Sequence, residues 1–238
     1  YKALREACRL NPAAWGNWAL CLEIAALQSW NDTLEADAES ALKLFPDQGL
    51  AYYFLGYAKF INAKYAEAVS VLDKGRFFVP DPGIKAEMQF FLGLSHLELE
   101  HFDKAYEAYE RALKLNPNYA GVLNSYAYSL ALRKMRLEKA KTMSSKSLEL
   151  EPNNAAFLDT YAWVLYQLGD YAQALEYIDR ALDLSSEQPS GELFEHKGDI
   201  LFRLGEIEEA KNFWLRASEL RGTSDQLKDK INTGKLND

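Results

Sequence analysis

Proline and glycine are scarce in this sequence. Its 238 residues include only 7 prolines and 13 glycines. Long flexible or extended linkers, which are rich in Gly, Ser or Pro, are therefore excluded as a large part of the chain. Hydrophobic residues make up 48% of the sequence, which is ample for a packed core, and we expect that core to be built from helices.

Long apolar runs and an excess of positive charge are also missing. No run approaches the length of about 18 apolar residues that a bilayer span requires, so none is predicted within this sequence. The formal net charge is -8 and the pI is near 5.1. Because proteins that grip phosphate backbones need clustered Lys and Arg, nucleic acid is not expected as a partner.

Only two cysteines occur, Cys8 and Cys21, and their spacing matches neither a zinc site nor a disulfide framework. We interpret both as small core residues. They fall in two successive helices that are expected to be antiparallel, so a bridge between them is geometrically possible. Their redox state, and with it the cellular compartment, stays open.

Signatures of catalysis are absent as well. The sequence has no Gly-rich phosphate loop, no His-Glu-x-x-His and no Gly-x-Ser-x-Gly. The segment Glu195-His196-x-x-Asp199 places three polar side chains within about one helical turn, where they could hold a metal or act as acid and base. We favour a simpler interpretation, in which the carboxylates face solvent beside a histidine between repeats. We predict no enzyme activity, no cofactor and no metal.

What the sequence does contain is an internal period. Turn residues follow Ala- and Leu-rich segments at intervals of 34 to 37 residues. These stops are Pro12, Pro46, Pro80, Pro117, Pro152, Ser186 and Gly222. Aligning the chain on them brings small residues into three registers: Gly56, Gly93, Ala127, Ala162 and Gly198; Ala68, Ala105, Ala140, Ala174 and Ala210; Ala7, Ala41, Gly75, Ala112, Ser147, Ala181 and Ala217. A glycine inside a helix costs about 0.5–1 kcal/mol relative to alanine, so repeated glycine indicates that two helices touch there.

The period and these small residues resemble the tetratricopeptide repeat (TPR) family. The resemblance implies an all-α fold, a right-handed α-α superhelix of about six helical hairpins with a leading half-repeat and a C-terminal capping helix. The predicted solenoid covers 1–222, with a half-repeat over 1–12, repeats over 13–46, 47–80, 81–117, 118–152, 153–186 and 187–222, and a capping helix over 223–238.

Three local features complete the predicted pattern. Gly169 and Gly205 supply hairpin turns, whereas the segment Arg133-Lys134-Met135-Arg136 replaces the glycine turn in its repeat. Asp81-Pro82-Gly83 is expected to lengthen the junction after Pro80. At the end of the chain, Ser224 is predicted to cap the final helix, with Leu227 and Ile231 on its apolar face and Lys228, Lys230 and Lys235 outside.

The resemblance also implies where a partner binds, because the first helix of each TPR hairpin lines a concave groove. The residues expected in that groove are Tyr53, Tyr57, Phe60, Phe90, Leu94, Asn124, Tyr128, Asp159, Trp163, Tyr166, Glu195, Asp199 and Phe202. Aromatic residues give large contact area at low entropic cost, and the acidic residues toward the C-terminus favour basic partners. The alternative is that the aromatic residues are core and that the acidic ones form an ordinary solvated face.

The predicted function is therefore a non-catalytic scaffold that binds proteins or peptides. Chaperone-binding TPR proteins clamp a C-terminal carboxylate with Lys and Arg, and this chain has neither at the matching positions, so that role is not expected. The segments 122–133, 151–182 and 191–220 are similar to TPR proteins of Bacteroidetes-type bacteria, which implies a periplasmic or envelope-associated assembly rather than a cytoplasmic one. The alternatives are a regulatory or sensor module of a larger enzyme or transcription factor, and a solenoid that associates with itself through its N-terminal edge.

Overall fold

The computed structural model describes residues 1–185, 187 and 189–236. These residues form fourteen α-helices and no β-strand, which confirms the predicted all-α fold. The stop predicted at Ser186 lies outside the described residues, and the repeat boundaries stay predictions. By its internal contacts the chain divides into two compact units, residues 1–119 and residues 120–238.

The first unit consists of a leading helix and three helical hairpins. Its helices are α1 (Lys2–Leu10), α2 (Trp15–Leu27), α3 (Asn31–Leu44), α4 (Gly49–Ile61), α5 (Tyr65–Gly75), α6 (Pro82–Glu98) and α7 (Phe102–Leu115). Sequential helices pack against each other, and the first helices of neighbouring hairpins, α2 with α4 and α4 with α6, also touch. The first helices therefore share one face of this unit.

The second unit has three hairpins followed by a short terminal helix. Its helices are α8 (Ala120–Leu132), α9 (Leu137–Leu150), α10 (Ala155–Leu168), α11 (Tyr171–Leu184), α12 (Gly191–Arg203), α13 (Ile207–Ser218) and α14 (Leu227–Thr233). Here α10 contacts both α8 and α12, so the three first helices form a continuous face.

Small residues allow the helices to approach as closely as the sequence predicts. Every residue of the three small registers is buried except Ala7, which is half-buried. A Cβ added to Gly93 would lie 2.4 Å from the ring of Tyr109, and one added to Gly198 would lie 2.4 Å from the indole of Trp214. Both distances are far inside van der Waals contact, so glycine at these positions is required for the helices to meet.

The junction predicted to be lengthened by Asp81-Pro82-Gly83 is instead the start of a helix. The Asp81 carboxylate accepts a hydrogen bond from the Ile84 N–H at 2.8 Å, and Pro82 is the first residue of α6. An Asp cap followed by Pro is a strong helix start, because Pro has no N–H that would need a partner there. Pro82 and Gly83 therefore lengthen α6, and Asp81 caps it.

The C-terminal helix also differs from its prediction. It begins at Leu227 with Gln226 at its N-cap position, and Ser224 does not cap it. Lys230, predicted to face outward, is only 5% exposed. Lys228 and Lys235 are exposed as expected. The reason is that Lys230 forms ion pairs with carboxylates of α12, which are described with the site below.

Cys8 and Cys21 are buried in the first unit, which confirms their interpretation as core residues. Their Sγ atoms lie 3.8 Å apart, and both thiols are free. Burial, together with the contact to Cys8, raises the pKa of Cys21 to about 12. A thiol with so high a pKa carries little thiolate at neutral pH and is a poor nucleophile.

A buried charge network links α3, α4 and α5 in the first unit. The ammonium of Lys59 contacts three carboxylates, those of Glu35 at 3.1 Å, Glu39 at 3.2 Å and Glu67 at 2.7 Å. Glu35 also accepts hydrogen bonds from Lys64 and Asn62, each at 2.7 Å. Burial alone would raise the pKa of Glu35, but these donors outweigh it and lower the pKa to about 2.

This network predicts acid-dependent stability. Because the folded pKa of Glu35 lies below its ordinary value of 4.5, its contribution is complete above about pH 4.5 and is lost as the pH falls toward 2. We expect Glu35→Gln to lower the free energy of unfolding by about 2 kcal/mol near pH 6, after allowance for solvent screening, and by half of that or less near pH 3.

Urea unfolding at the two pH values measures this difference. Glu39→Gln is the matched control, because Glu39 meets the same lysine from an exposed position. A Glu35→Gln deficit that is the same at both pH values would contradict the assignment.

Candidate partner-binding site

In the first unit, the predicted groove residues form an aromatic cluster. Tyr53, Tyr57, Phe60, Phe90 and Leu94 are all half-buried on α4 and α6. Phe91, which the sequence analysis did not select, stands at the centre of the cluster, with ring centroids 5.1 Å from Tyr57, 5.5 Å from Phe60 and 5.6 Å from Phe90. Much of this aromatic surface is therefore used for packing between α4 and α6.

At the polar end of this cluster, the hydroxyl of Tyr53 is hydrogen-bonded to the carboxylate of Glu87. Burial, together with the hydrogen bond to Glu87, raises the pKa of Tyr53. Burial and the same carboxylate raise the pKa of Tyr119 to about 12, and its ring lies 5.3 Å from that of Phe90. Both hydroxyls therefore stay protonated and can donate hydrogen bonds at neutral pH.

In the second unit, three rings from α10 and α12 form a parallel stack. The ring of His196 lies 4.1 Å from that of Trp163 with an angle of 14° between the planes. Trp163 in turn lies 4.6 Å from Tyr166 with an angle of 9°. Trp163 and Tyr166 are one helical turn apart on α10, and both are half-buried. The stack gives a flat and rigid aromatic surface.

The stack is held in place by a buried ion pair. Nδ1 of His196 lies 2.7 Å from the Asp159 carboxylate, and both side chains are buried. Burial acts to lower the pKa of His196, but the carboxylate of Asp159 outweighs it and the pKa is raised. The raised pKa favours the imidazolium form, and an imidazolium over an indole face is a favourable cation–π arrangement.

A cavity of about 720 Å³ adjoins this stack. Its lining residues include Tyr128, Trp163, Tyr166, Tyr171, Glu192, Glu195, His196, Asp199, Arg203, Ser224 and Lys230. Tyr128 donates a hydrogen bond to Glu192, and burial together with that carboxylate raises the pKa of Tyr128. The volume lies within the range of about 300–1,000 Å³ typical of ligand pockets. The cavity thus joins an aromatic wall to several charged groups.

The acidic part of the predicted groove is not open to solvent in this structure. Glu195 and Asp199 are each 3% exposed, which corrects the expectation that these carboxylates face solvent. Both are paired with Lys230 at 2.7 Å. Burial would raise the pKa of Glu195, but Lys230 and Ser224 outweigh it and lower the pKa. The physical reason is that a lysine of the same chain supplies the charge they need.

The remaining predicted residues lie away from the cavity lining. Asn124 is half-buried on α8, one helical turn before Tyr128. Phe202 is half-buried on α12, with its ring 5.7 Å from that of the core residue Trp214. Asp159 contacts His196, which lines the cavity, and does not line the cavity itself. Of the predicted residues in the second unit, the cavity brings together Tyr128, Trp163, Tyr166, Glu195 and Asp199.

Neither a metal centre nor a membrane span is indicated by this arrangement. Within the described ranges, no three His, Cys, Asp or Glu side chains are grouped so that they could hold a metal ion. No helix of the same residues combines the length and apolar content needed to cross a bilayer.

Several solved structures share the fold of this chain. A chain of the Cut9–Hcn1 hetero-tetramer of APC/C superimposes with a TM-score of 0.81 at 14% identity. The match covers 98% of this chain and 45% of that chain. A TPR protein from Parabacteroides merdae superimposes with a TM-score of 0.68 at 17% identity, and the match covers 98% of this chain and 90% of that chain. YrrB, a TPR protein with an unusual peptide-binding site, superimposes with a TM-score of 0.59 at 20% identity, and the match covers 78% of this chain and 94% of that chain. The chain has the fold of tetratricopeptide-repeat proteins.

Within that class, one family gives a more specific match. Residues 86–190 match the family described as the cytochrome c-type biogenesis protein H TPR domain. No curated protein is significantly similar to the chain. The TPR fold is typical of scaffolds that bind other proteins, and it is not typical of enzymes.

Proposed function

We propose that this protein is a non-catalytic scaffold that binds a peptide or protein segment in the cavity of its second unit. The observation that carries the proposal is the stack of Trp163 and Tyr166, which lines a cavity large enough for several side chains. Rigid aromatic side chains lose little entropy on binding and are enriched among the residues that dominate binding energy. YrrB, which shares this fold, is a TPR protein with a peptide-binding site.

The aromatic cluster of the first unit, with Tyr53, Tyr57, Phe60, Phe90 and Leu94, is proposed as a second contact surface. Its rings pack against Phe91, whereas Trp163 and Tyr166 line the cavity. We therefore place the main anchor for a partner at Trp163 and Tyr166.

We further propose an envelope-associated setting. The match of residues 86–190 to a cytochrome c-type biogenesis family supports an assembly at the bacterial envelope. The kinship with Bacteroidetes-type proteins also stays a proposal, because a likeness at 17% identity to the Parabacteroides merdae protein shows the fold alone.

Peptide selection tests the proposed site. A random peptide library is panned on the full chain, and the Kd of each selected peptide is measured by fluorescence anisotropy. We expect the double variant Trp163→Ala and Tyr166→Ala to weaken binding by roughly 10- to 100-fold, because it removes the aromatic anchor.

A second aromatic pair provides the control. Tyr161 and Tyr177 pack edge to face at 4.7 Å against the same core but do not line the cavity. Their double Ala variant is expected to bind like the native chain, and circular dichroism checks that both variants fold. If the two double variants bind equally well, the site lies elsewhere.

A further inference from the structure

The end of the chain forms part of the wall of the cavity. We define residues 222–236 as the C-terminal segment, which comprises α14 and the stretch before it. Its residues that line the cavity are Gly222, Thr223, Ser224, Gln226, Lys230 and Leu236. The protein therefore supplies a segment of its own chain to the site where we place a partner.

This segment binds α12 chiefly through polar contacts at two points. Ser224 donates its backbone N–H to Glu195 at 2.7 Å, and its hydroxyl donates to the same carboxylate. Lys230 lies 2.7 Å from Glu195 and 2.7 and 2.9 Å from the two carboxylate oxygens of Asp199. Charge-assisted hydrogen bonds of this kind are about twice as strong as neutral ones.

Apolar packing adds to these contacts, because Leu227, Ile231 and Leu236 lie against the core cluster that contains Phe194 and Trp214. Leu227 is its only buried apolar side chain among the described residues, and Ile231 is half-buried. The helix α14 has seven residues, too few to be stable in isolation, and Gly222 before it has a left-handed φ of 83°. Segments with few buried apolar contacts open at low free-energy cost. The charged contacts with Glu195 and Asp199 act together with this apolar packing to hold the segment in place.

We propose that Glu195 and Asp199 form a lysine-binding seat, and that the C-terminal segment is a tethered ligand which a lysine-bearing segment of a partner protein displaces. This inference rests on the proposed function and names the chemistry of the partner. The partner carries a lysine six residues after a small donor residue, as Lys230 follows Ser224. Two neighbouring carboxylates on one helix favour a cation. Lys230, which is already bound there, shows that the seat accepts the ammonium group of a lysine side chain.

Tethering sets a threshold for the partner. A segment attached to its own site competes at an effective concentration of the order of millimolar, so a free ligand with the same contacts binds weakly. A partner that also contacts Trp163 and Tyr166 gains binding energy from those rings. The two parts of the site thus have separate roles, since the rings supply affinity and the carboxylates select a lysine.

A synthetic peptide of residues 222–236 tests the proposal on the chain of 238 residues. We expect fluorescence anisotropy to show weak binding to the native chain and at least tenfold tighter binding to the Lys230→Met chain, whose own segment no longer satisfies the carboxylates. A peptide with the same Lys230→Met change should not bind either chain. The control chain is Lys228→Met, which alters an exposed lysine of the same helix and should behave like the native chain.

Equal binding of the native peptide to the native and Lys230→Met chains would overturn the inference, as would equal binding of the two peptides. If circular dichroism shows that Lys230→Met does not fold, Ser224→Ala replaces it. This variant loses one hydroxyl contact and should bind the native peptide several-fold more tightly than the native chain does, whereas unchanged binding overturns the proposal. The two proposals can fail separately. If the 222–236 peptide gives one of these contradicting results but the selected peptides still bind in a way that depends on Trp163, the lysine-binding seat is wrong and the proposed function is retained.

Discussion

We expect Trp214→Ala to lower the free energy of unfolding of the second unit by about 3–5 kcal/mol, among the largest effects of any single substitution in this chain. Trp214 lies on α13 with no solvent exposure. Its indole fills the space left by Gly198 on the facing helix and packs 5.7 Å from the ring of Phe202. Alanine would leave a cavity between two helices that meet around this side chain.

The same substitution also removes a polar contact beneath the site. The indole N–H of Trp214 donates to the Asp199 carboxylate at 2.9 Å, so Asp199 would keep Lys230 as its neighbour but lose a buried donor. A buried carboxylate that loses a hydrogen bond adds a desolvation cost to the cost of the cavity. Trp214 therefore links the stability of α12 and α13 to the geometry of the candidate site.

Denaturant unfolding followed by far-UV circular dichroism measures the loss. Leu215→Ala on the same helix is the control, because Leu215 is half exposed and its truncation should cost about 0.5 kcal/mol or less. A Trp214→Ala chain within about 1 kcal/mol of the native protein would show that α12 and α13 do not pack as described.

The repeat fold could be predicted because its signal is local and recurs. Small residues in three registers are buried as expected, and the leading helix, six hairpins and terminal helix follow in the predicted order within the described residues. A periodic pattern is reliable because each repeat tests the same packing rule again. Single features such as Asp81-Pro82-Gly83 have no such repetition, and there the helix-start chemistry was missed.

Hairpin turns show a limit of the same kind. All six turns contain a residue with positive φ, but only two of those residues are glycine, at Gly169 and Gly205. The other turns use Ser29, Ala63, Glu100 and Lys134. A left-handed conformation costs a residue with a side chain about 1–2 kcal/mol, and the packing of two helices outweighs that cost. Glycine therefore marks a minority of the turns that the fold requires.

The candidate site was only partly readable from the sequence. Trp163 and Tyr166 follow from helical spacing on α10, whereas Lys230, the partner of Glu195 and Asp199, lies 35 and 31 residues away from them in a segment outside the repeat pattern. A signal for Lys230 does exist. It stands three residues after Leu227, and therefore on the apolar side of α14, where a lysine needs a buried counter-charge.

The position of every site residue depends on helices that touch at small residues, and Gly75 tests this dependence most directly. A Cβ added to Gly75 would lie 2.2 Å from the Cβ of Tyr52, an atom fixed to the backbone of α4. The helices must separate to admit it, so we expect Gly75→Ala to lower the free energy of unfolding by about 2–3 kcal/mol.

The matched control is the same substitution at Gly16, where an added Cβ meets no atom within 4 Å. There alanine should leave stability unchanged or raise it by up to about 1 kcal/mol, because alanine favours the helix. Urea unfolding of the two variants beside the native chain is the measurement. The predicted result is a clear loss for Gly75→Ala and none for Gly16→Ala, and equal stability of the two variants would contradict the close helix packing on which the site is built.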